Sequence, residues 1–134
     1  TLLVTNGEFD ADGNIIKETA YSLTGDLTYE MTFTYDENGN VLEEAYSDGS
    51  YATITKYEYD ENGHAVKSSS YMDNELMGYS VMENDENGNC IREEVYDANG
   101  VLHEYSIFER DADGAVTGES TYDADGNLQG MTEM

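Results

Sequence analysis

Hydrophobic and polar residues alternate along most of this chain. Tyr29, Met31, Phe33 and Tyr35 fall on one face of an extended segment, with Glu30, Thr32 and Thr34 on the other. Tyr51, Thr53, Thr55, Tyr57 and Tyr59 repeat the pattern. A period of two predicts β-strands, and helical spacing is not sustained anywhere. The alternation breaks at five evenly spaced points, each an acidic residue, two variable residues and Gly. These are Asp10 to Gly13, Asp36 to Gly39, Asp60 to Gly63, Asp85 to Gly88 and Asp111 to Gly114. The glycines stand 26, 24, 25 and 26 residues apart, which is the mark of a repeat architecture.

A second turn falls 10 to 12 residues after each of these glycines, at Thr24-Gly25-Asp26, Asp48-Gly49, Asp73-Asn74, Asn99-Gly100 and Asp125-Gly126. Turn signals at this spacing with strand-like segments between them predict antiparallel hairpins. The primary turn suits a three-residue loop, with Gly in the left-handed position that closes a bulge and the leading Asp accepting turn amides. The residues four before the primary Gly (Phe9, Tyr35, Tyr59, Asn84, Arg110) then pair with those two after it (Ile15, Val41, Ala65, Cys90, Val116). The opposite face carries Glu8, Glu58, Glu83 and Glu109, with Ile16, Leu42, Val66 and Ile91, so both faces hold apolar surface. The fold class is therefore all-β: an elongated, twisted antiparallel meander of about ten short strands in five double-turn repeats. It is either an open sheet covered by a partner or one that curls toward a barrel. Residues 1–134 form one repeat domain, with no linker or composition break.

Charge narrows the partners. Five Lys and Arg stand against 30 Asp and Glu, a formal net charge of −25. Nucleic acid and anionic membrane surfaces would repel such a chain, while a cation or a basic partner would suit it. No apolar run approaches the roughly 20 residues of a membrane span. No signal peptide is legible, and a start at Thr1 fits a processed form of an exported protein. One Cys excludes an internal disulfide framework.

The run Tyr57-Glu58-Tyr59-Asp60-Glu61-Asn62-Gly63 followed by Ala65 and Val66, preceded by the Asp48-Gly49 turn, resembles a YD (RHS-type) repeat. Thr34 to Leu42 and Thr121 to Leu128 fit the same pattern, and the double-turn period also resembles MORN-type repeats. The resemblance implies a bacterial β-hairpin repeat protein, secreted or on the cell surface, whose repeats act as shells or adhesive surfaces. Two departures stand out. Asn84 and Arg110 replace the Tyr of Tyr-Asp, and five repeats are too few to enclose an effector domain.

Candidate chemistry is sparse. Cys90 occupies a slot held elsewhere by Ile15, Val41, Ala65 and Val116, which reads as a small buried apolar residue rather than a nucleophile. His64 and His103 follow turns and read as solvated turn residues. No Ser-His-Asp or Cys-His spacing supports a catalytic residue. Asp10, Asp12, Asp123 and Asp125 resemble calcium loops in composition, but Gly is fourth and not sixth, so turn chemistry accounts for them and calcium is a weak ligand at most. Tyr29, Tyr51, Tyr79 and Tyr105 are the candidate partner contacts, as exposed aromatics able to bind a protein or glycan. Lys17, Lys67 and Arg92 share one slot beside the aromatic slot of the facing strand, which suits cation–π contacts such as Lys67 with Tyr57. The expected function is a non-enzymatic exported module, adhesive or structural, with no cofactor. A calcium-stabilised extracellular module and a small carboxylate-dependent hydrolase are the alternatives. Sheet edges or the aromatic face offer a route to homo-oligomers.

Overall fold

The computed structural model describes residues 3–133, and every regular element among them is a β-strand. In chain order they are β1 (Leu3–Phe9), β2 (Ile15–Ser22), β3 (Leu27–Tyr35), β4 (Val41–Ser47), β5 (Ala52–Tyr59), β6 (Ala65–Met72), β7 (Glu75–Asn84), β8 (Cys90–Asp97), β9 (Leu102–Arg110), β10 (Val116–Asp123) and β11 (Leu128–Glu133). They follow one another in a single sheet from β1 to β11, so the sheet does not close into a barrel. The eleven strands agree with the expected meander of about ten. Ten turns separate eleven segments, and a count by repeats overlooks the strand before the first turn.

The turns explain why the strands begin and end where they do. Asp36 N donates to Asn40 O at 2.9 Å and Gly39 N to Asp36 O at 3.1 Å, and the other primary turns repeat this geometry. It requires a left-handed residue at the fourth position, and Gly39 sits at φ +86°. A bulge follows each loop. Tyr35 pairs with Val41 but Thr34 with Glu43, and Asn84 pairs with Cys90 but Glu83 with Arg92. The register predicted from the slots is therefore the one formed. Three secondary turns, at Ser22, Asp97 and Asp123, are built in the same way. Two secondary turns differ: Asp48 N donates to Tyr51 O at 3.3 Å with Gly49 in second place at φ +90°, and at Asp73-Asn74 both residues take positive φ, 50° and 71°, as a two-residue hairpin turn requires.

Two compact units are distinguished, Thr1–Tyr57 with Ser70–Leu76, and Glu58–Ser69 with Met77–Met134. Among the described residues neither carries a second layer of structure, so neither has a core in the usual sense. Ala20 is the one buried hydrophobic side chain among the described residues. Phe9, Leu23 and Met131 are more than half exposed. Apolar contact is made mainly between neighbours across strands, which is the unit of sheet stabilisation when no opposing layer exists.

Candidate functional site

The hairpin ends are tied together by one recurring bond. Tyr35 Oη donates to Ile15 O at 2.6 Å, Asn84 Nδ2 to Ala65 O at 2.9 Å, and Arg110 Nε to Cys90 O at 2.9 Å. Each donor stands four before a primary Gly, and each acceptor two after the preceding one. Asn84 and Arg110 thus keep the donor while losing the ring. Sequence reasoning read them as departures from the repeat; the shared N–H or O–H was the signal to follow. Arg110 adds a bond from Nη1 to Gly114 O at 2.7 Å.

In the first unit three tyrosines gather on one face. Tyr29 and Tyr46 stack with centroids 5.9 Å apart and planes at 26°, and Tyr51 lies 5.9 Å from Tyr46, tilted by 42°. Tyr29 Oη donates to Glu18 Oε1, and Tyr46 Oη to Asp48 Oδ2 at 3.3 Å. The bond to Glu18, with burial, raises the Tyr29 phenol pKa. Burial first, then the Asp48 charge, does the same for Tyr46.

In the second unit the aromatic residues form a chain with cations between them. Tyr79 stacks on Tyr96 at 4.9 Å and Tyr105 on Tyr122 at 5.0 Å. Tyr96 Oη donates to Glu94 at 2.9 Å, and Glu94 faces Arg92 at 3.6 Å. The Arg92 guanidinium lies over Tyr105 at 4.3 Å, and Lys67 lies over Tyr79 at 4.7 Å. Where the sequence suggested Tyr57 for Lys67, the structure puts Tyr79. Of the four candidate contact tyrosines, Tyr51 is exposed, while Tyr29, Tyr79 and Tyr105 are half-buried in their stacks. Alternation assigns a face to a ring, but whether a neighbour covers it depends on cross-strand register.

All five Lys and Arg have partners within the chain. Lys17 pairs with Glu30 at 3.7 Å, Lys56 with Glu43 at 4.0 Å, and Lys67 with Glu58 at 3.6 Å. Lys56 also lies over Tyr71, and Arg92 and Arg110 are held as described. The acidic excess is therefore concentrated in groups that no Lys or Arg is left to neutralise.

The turn aspartates are committed to amides. Asp10 Oδ1 accepts from Asp12 N and Asn14 N, both at 2.9 Å, and its Oδ2 accepts from Asn14 Nδ2. Asp123 does the same with Asp125, Asn127 and Gln129. Asp12 and Asp125 contribute their backbone N–H to these bonds. The Asn14 and Asn127 amides hold the Asp10 and Asp123 carboxyls below the usual range. Among the described residues no group of three or more His, Cys, Asp or Glu is arranged around a metal position.

Cys90 is half-buried, and burial raises its thiol pKa, which leaves little thiolate to react. His64 is also half-buried rather than solvated. Its ring lies where a Cβ on Gly88 would sit, and Nδ1 is 3.5 Å from Asp60 Oδ2. His103 is exposed. Shallow hollows lie on the surface of the described residues. One of about 200 Å³ is bordered by Glu30, Ala45, Tyr46 and Ile54, and one of about 220 Å³ by Glu109, Glu119, Met131 and Glu133.

Known proteins share parts of this pattern. The MORN repeat variant family matches residues 32–48. Teneurin-4 of Homo sapiens is 36% identical over 97 residues, 71% of this chain, and mouse teneurin-4 gives the same figures. The chain spans 3% of the length of these relatives. Among solved structures, the Photorhabdus luminescens Tc holotoxin pore is 16% identical over 96% of this chain and 9% of its own, with a TM-score of 0.40.

Proposed function

We propose that this chain, an array of YD/RHS-type repeats with MORN character, is a non-enzymatic repeat module, one domain over residues 1–134, that offers its sheet faces to a partner. The observation that carries this reading is the burial pattern. Among the described residues only Ala20 is a buried hydrophobic, and aliphatic side chains are exposed in both units, with Phe9 and Tyr51 in the first. Contiguous exposed apolar surface is characteristic of interaction sites. A shell-like or scaffold role accords with the repeats, and a secreted or bacterial cell-surface setting follows from the same resemblance.

The chemistry of the acids supports the non-catalytic reading. Asp10, Asp36, Asp48, Asp60 and Asp123 are all held anionic by backbone amides, the reverse of what a general acid needs. A repeat array has a further property, because each repeat is stabilised mainly by its neighbours. Deleting residues 64–88, the 25 residues from His64 to Gly88, should leave a shorter array with β-type circular dichroism and a lower denaturation midpoint. Loss of all structure would refute the modular reading. On glycan and protein arrays, binding should fall when Tyr51 becomes Ala.

A further inference from the structure

We infer that the Tyr29–Tyr46–Tyr51 face of the first unit docks a cationic polypeptide segment, its Lys or Arg side chains over the rings and beside Glu18 and Glu44. The inference rests on the reading of the array as a module that presents its faces, and it names the partner's chemistry.

The register defines the face. Glu18 pairs with Met31 and Ala20 with Tyr29, while Met31 pairs with Tyr46 and Phe33 with Glu44. Across the next pair, Glu44 stands opposite Thr55 and Tyr46 opposite Thr53. Lys17 pairs with Thr32 and Lys56 with Glu43, so both cations of these strands point to the opposite face. What remains is a surface of tyrosines, Phe33, Met31 and two half-buried carboxylates, with no Lys or Arg on it.

Elsewhere the chain shows how it uses such rings. Tyr71, Tyr79 and Tyr105 each lie under a cation of the same chain, at 5.2, 4.7 and 4.3 Å. Each of those cations also pairs with a nearby carboxylate, Lys56 with Glu43, Lys67 with Glu58 and Arg92 with Glu94. The Tyr29 face has the ring and the carboxylate but not the cation. All five cations are engaged, and a second copy, carrying the same charge of −25, would be repelled. The cation therefore comes from a different molecule. An extended peptide presents same-face side chains about 7 Å apart, close to the 5.9 Å between successive ring centres, so alternate basic residues meet successive rings. The phenol pKa values are raised, for Tyr29 first by the bond to Glu18, and for Tyr46 and Tyr57 first by burial and then by the charges of Asp48 and Glu44.

Fluorescence anisotropy with a labelled (Arg-Ser)5 peptide tests this, with (Gln-Ser)5 as the control. The Arg peptide should bind and the Gln peptide should not. A Tyr46→Leu, Tyr51→Leu pair leaves net charge unchanged and should weaken binding about tenfold, from two lost cation–π contacts. Tyr46→Phe, which keeps the ring, should stay within about twofold. Glu44→Gln should weaken binding about fivefold, and Glu37→Gln, the same charge change on an exposed turn, by less than about twofold. Equal losses for Glu44→Gln and Glu37→Gln, or none for the Leu pair, would reduce the effect to general attraction and overturn the inference. So would a neutral maltohexaose that binds this face while the Arg peptide does not. If circular dichroism shows the Leu pair unfolded, Tyr51→Leu alone and the two Gln variants decide. The repeat deletion is read by folding alone, so a failure to bind the peptide leaves the modular reading standing.

Discussion

Tyr35, Asn84 and Arg110 have different shapes and charges, yet each delivers one hydrogen to the same carbonyl position. A half-buried carbonyl that loses its donor costs about 1 kcal/mol. Tyr35→Phe should therefore lower unfolding free energy by about that much in urea, while Asn84→Tyr should be tolerated because the hydroxyl reaches where the amide did. Equal destabilisation by both would refute the shared role. The slot pairing was legible in the sequence because turn glycines set it. The donor was not, because three residue types conceal one atom-level property. Close approach was equally hidden. A Cβ at Gly78 would stand 2.7 Å from Tyr96 O, on backbone that cannot step aside. Gly78→Ala should cost about 1–3 kcal/mol by forcing β7 off β8 and loosening the Tyr79–Tyr96 stack. Near-ultraviolet circular dichroism would register that loosening. His64 belongs here too: its slot suggested water, and only the fold shows that it leans on Gly88 of the next repeat.

At the scale of elements the turns dominate. The pattern of Asp (Ser at Ser22), two variable residues, Gly and one more recurs in the primary turns and in three of the secondary ones, and this is why spacing placed most of the strand breaks. Asp73-Asn74 departs from it, and Asn74 holds φ 71° without being Gly. Asn74→Gly should stabilise the protein by about 0.5 kcal/mol, because left-handed backbone costs less in glycine. A lower denaturation midpoint for this variant would show that the turn geometry is held by something other than these two residues. The turn aspartates also set a pH window. Asp10, Asp36, Asp48, Asp60 and Asp123 have folded pKa values below the ordinary 3.8, chiefly from amide bonds to Asn14, Asn40, Ser50, His64 and Asn127. A depressed folded pKa means that the unfolded chain binds protons first. Their contribution is present above about pH 4 and is lost as pH falls through the folded values. Asp36→Ala and Asp60→Ala together should flatten the acid limb of a midpoint-against-pH curve. An unaltered limb would deny the turns that role.

For the whole molecule two electrostatic effects act in opposite directions with pH. With a formal charge of −25, four of the five Lys and Arg in ion pairs and Arg110 held by backbone carbonyls, repulsion among the remaining carboxylates opposes the folded state at neutral pH. Lowering the pH reduces the net negative charge and with it that repulsion. Thermal stability should therefore rise as pH drops from 7 toward 5, pass through a maximum, and fall below about pH 4. A monotonic decline would mean that repulsion is negligible. Sodium chloride should mimic the rise, because a Debye length of about 8 Å at 0.15 M ionic strength shrinks to about 3 Å at 1 M. Calcium then separates screening from binding. Turn carboxylates engaged with amides leave calcium to act as counterion, so at matched ionic strength it should raise the melting temperature no more than sodium does. A larger shift with calcium, reversed by chelator, would identify a bound ion and favour the calcium-stabilised module. The same screening exposes the sheet edge. β1 carries Leu3, Val4 and Phe9 at 43, 50 and 61% exposure, and edge strands of this composition pair with one another unless something keeps them apart. Net charge is the agent available in this chain. Sedimentation should thus show a monomer in low salt and self-association in 1 M salt, with Phe9→Lys restoring the monomer by placing a charge on the edge. Association that is strong in low salt would point to the faces and not to β1, because only a contact large enough to overcome the full charge would survive there.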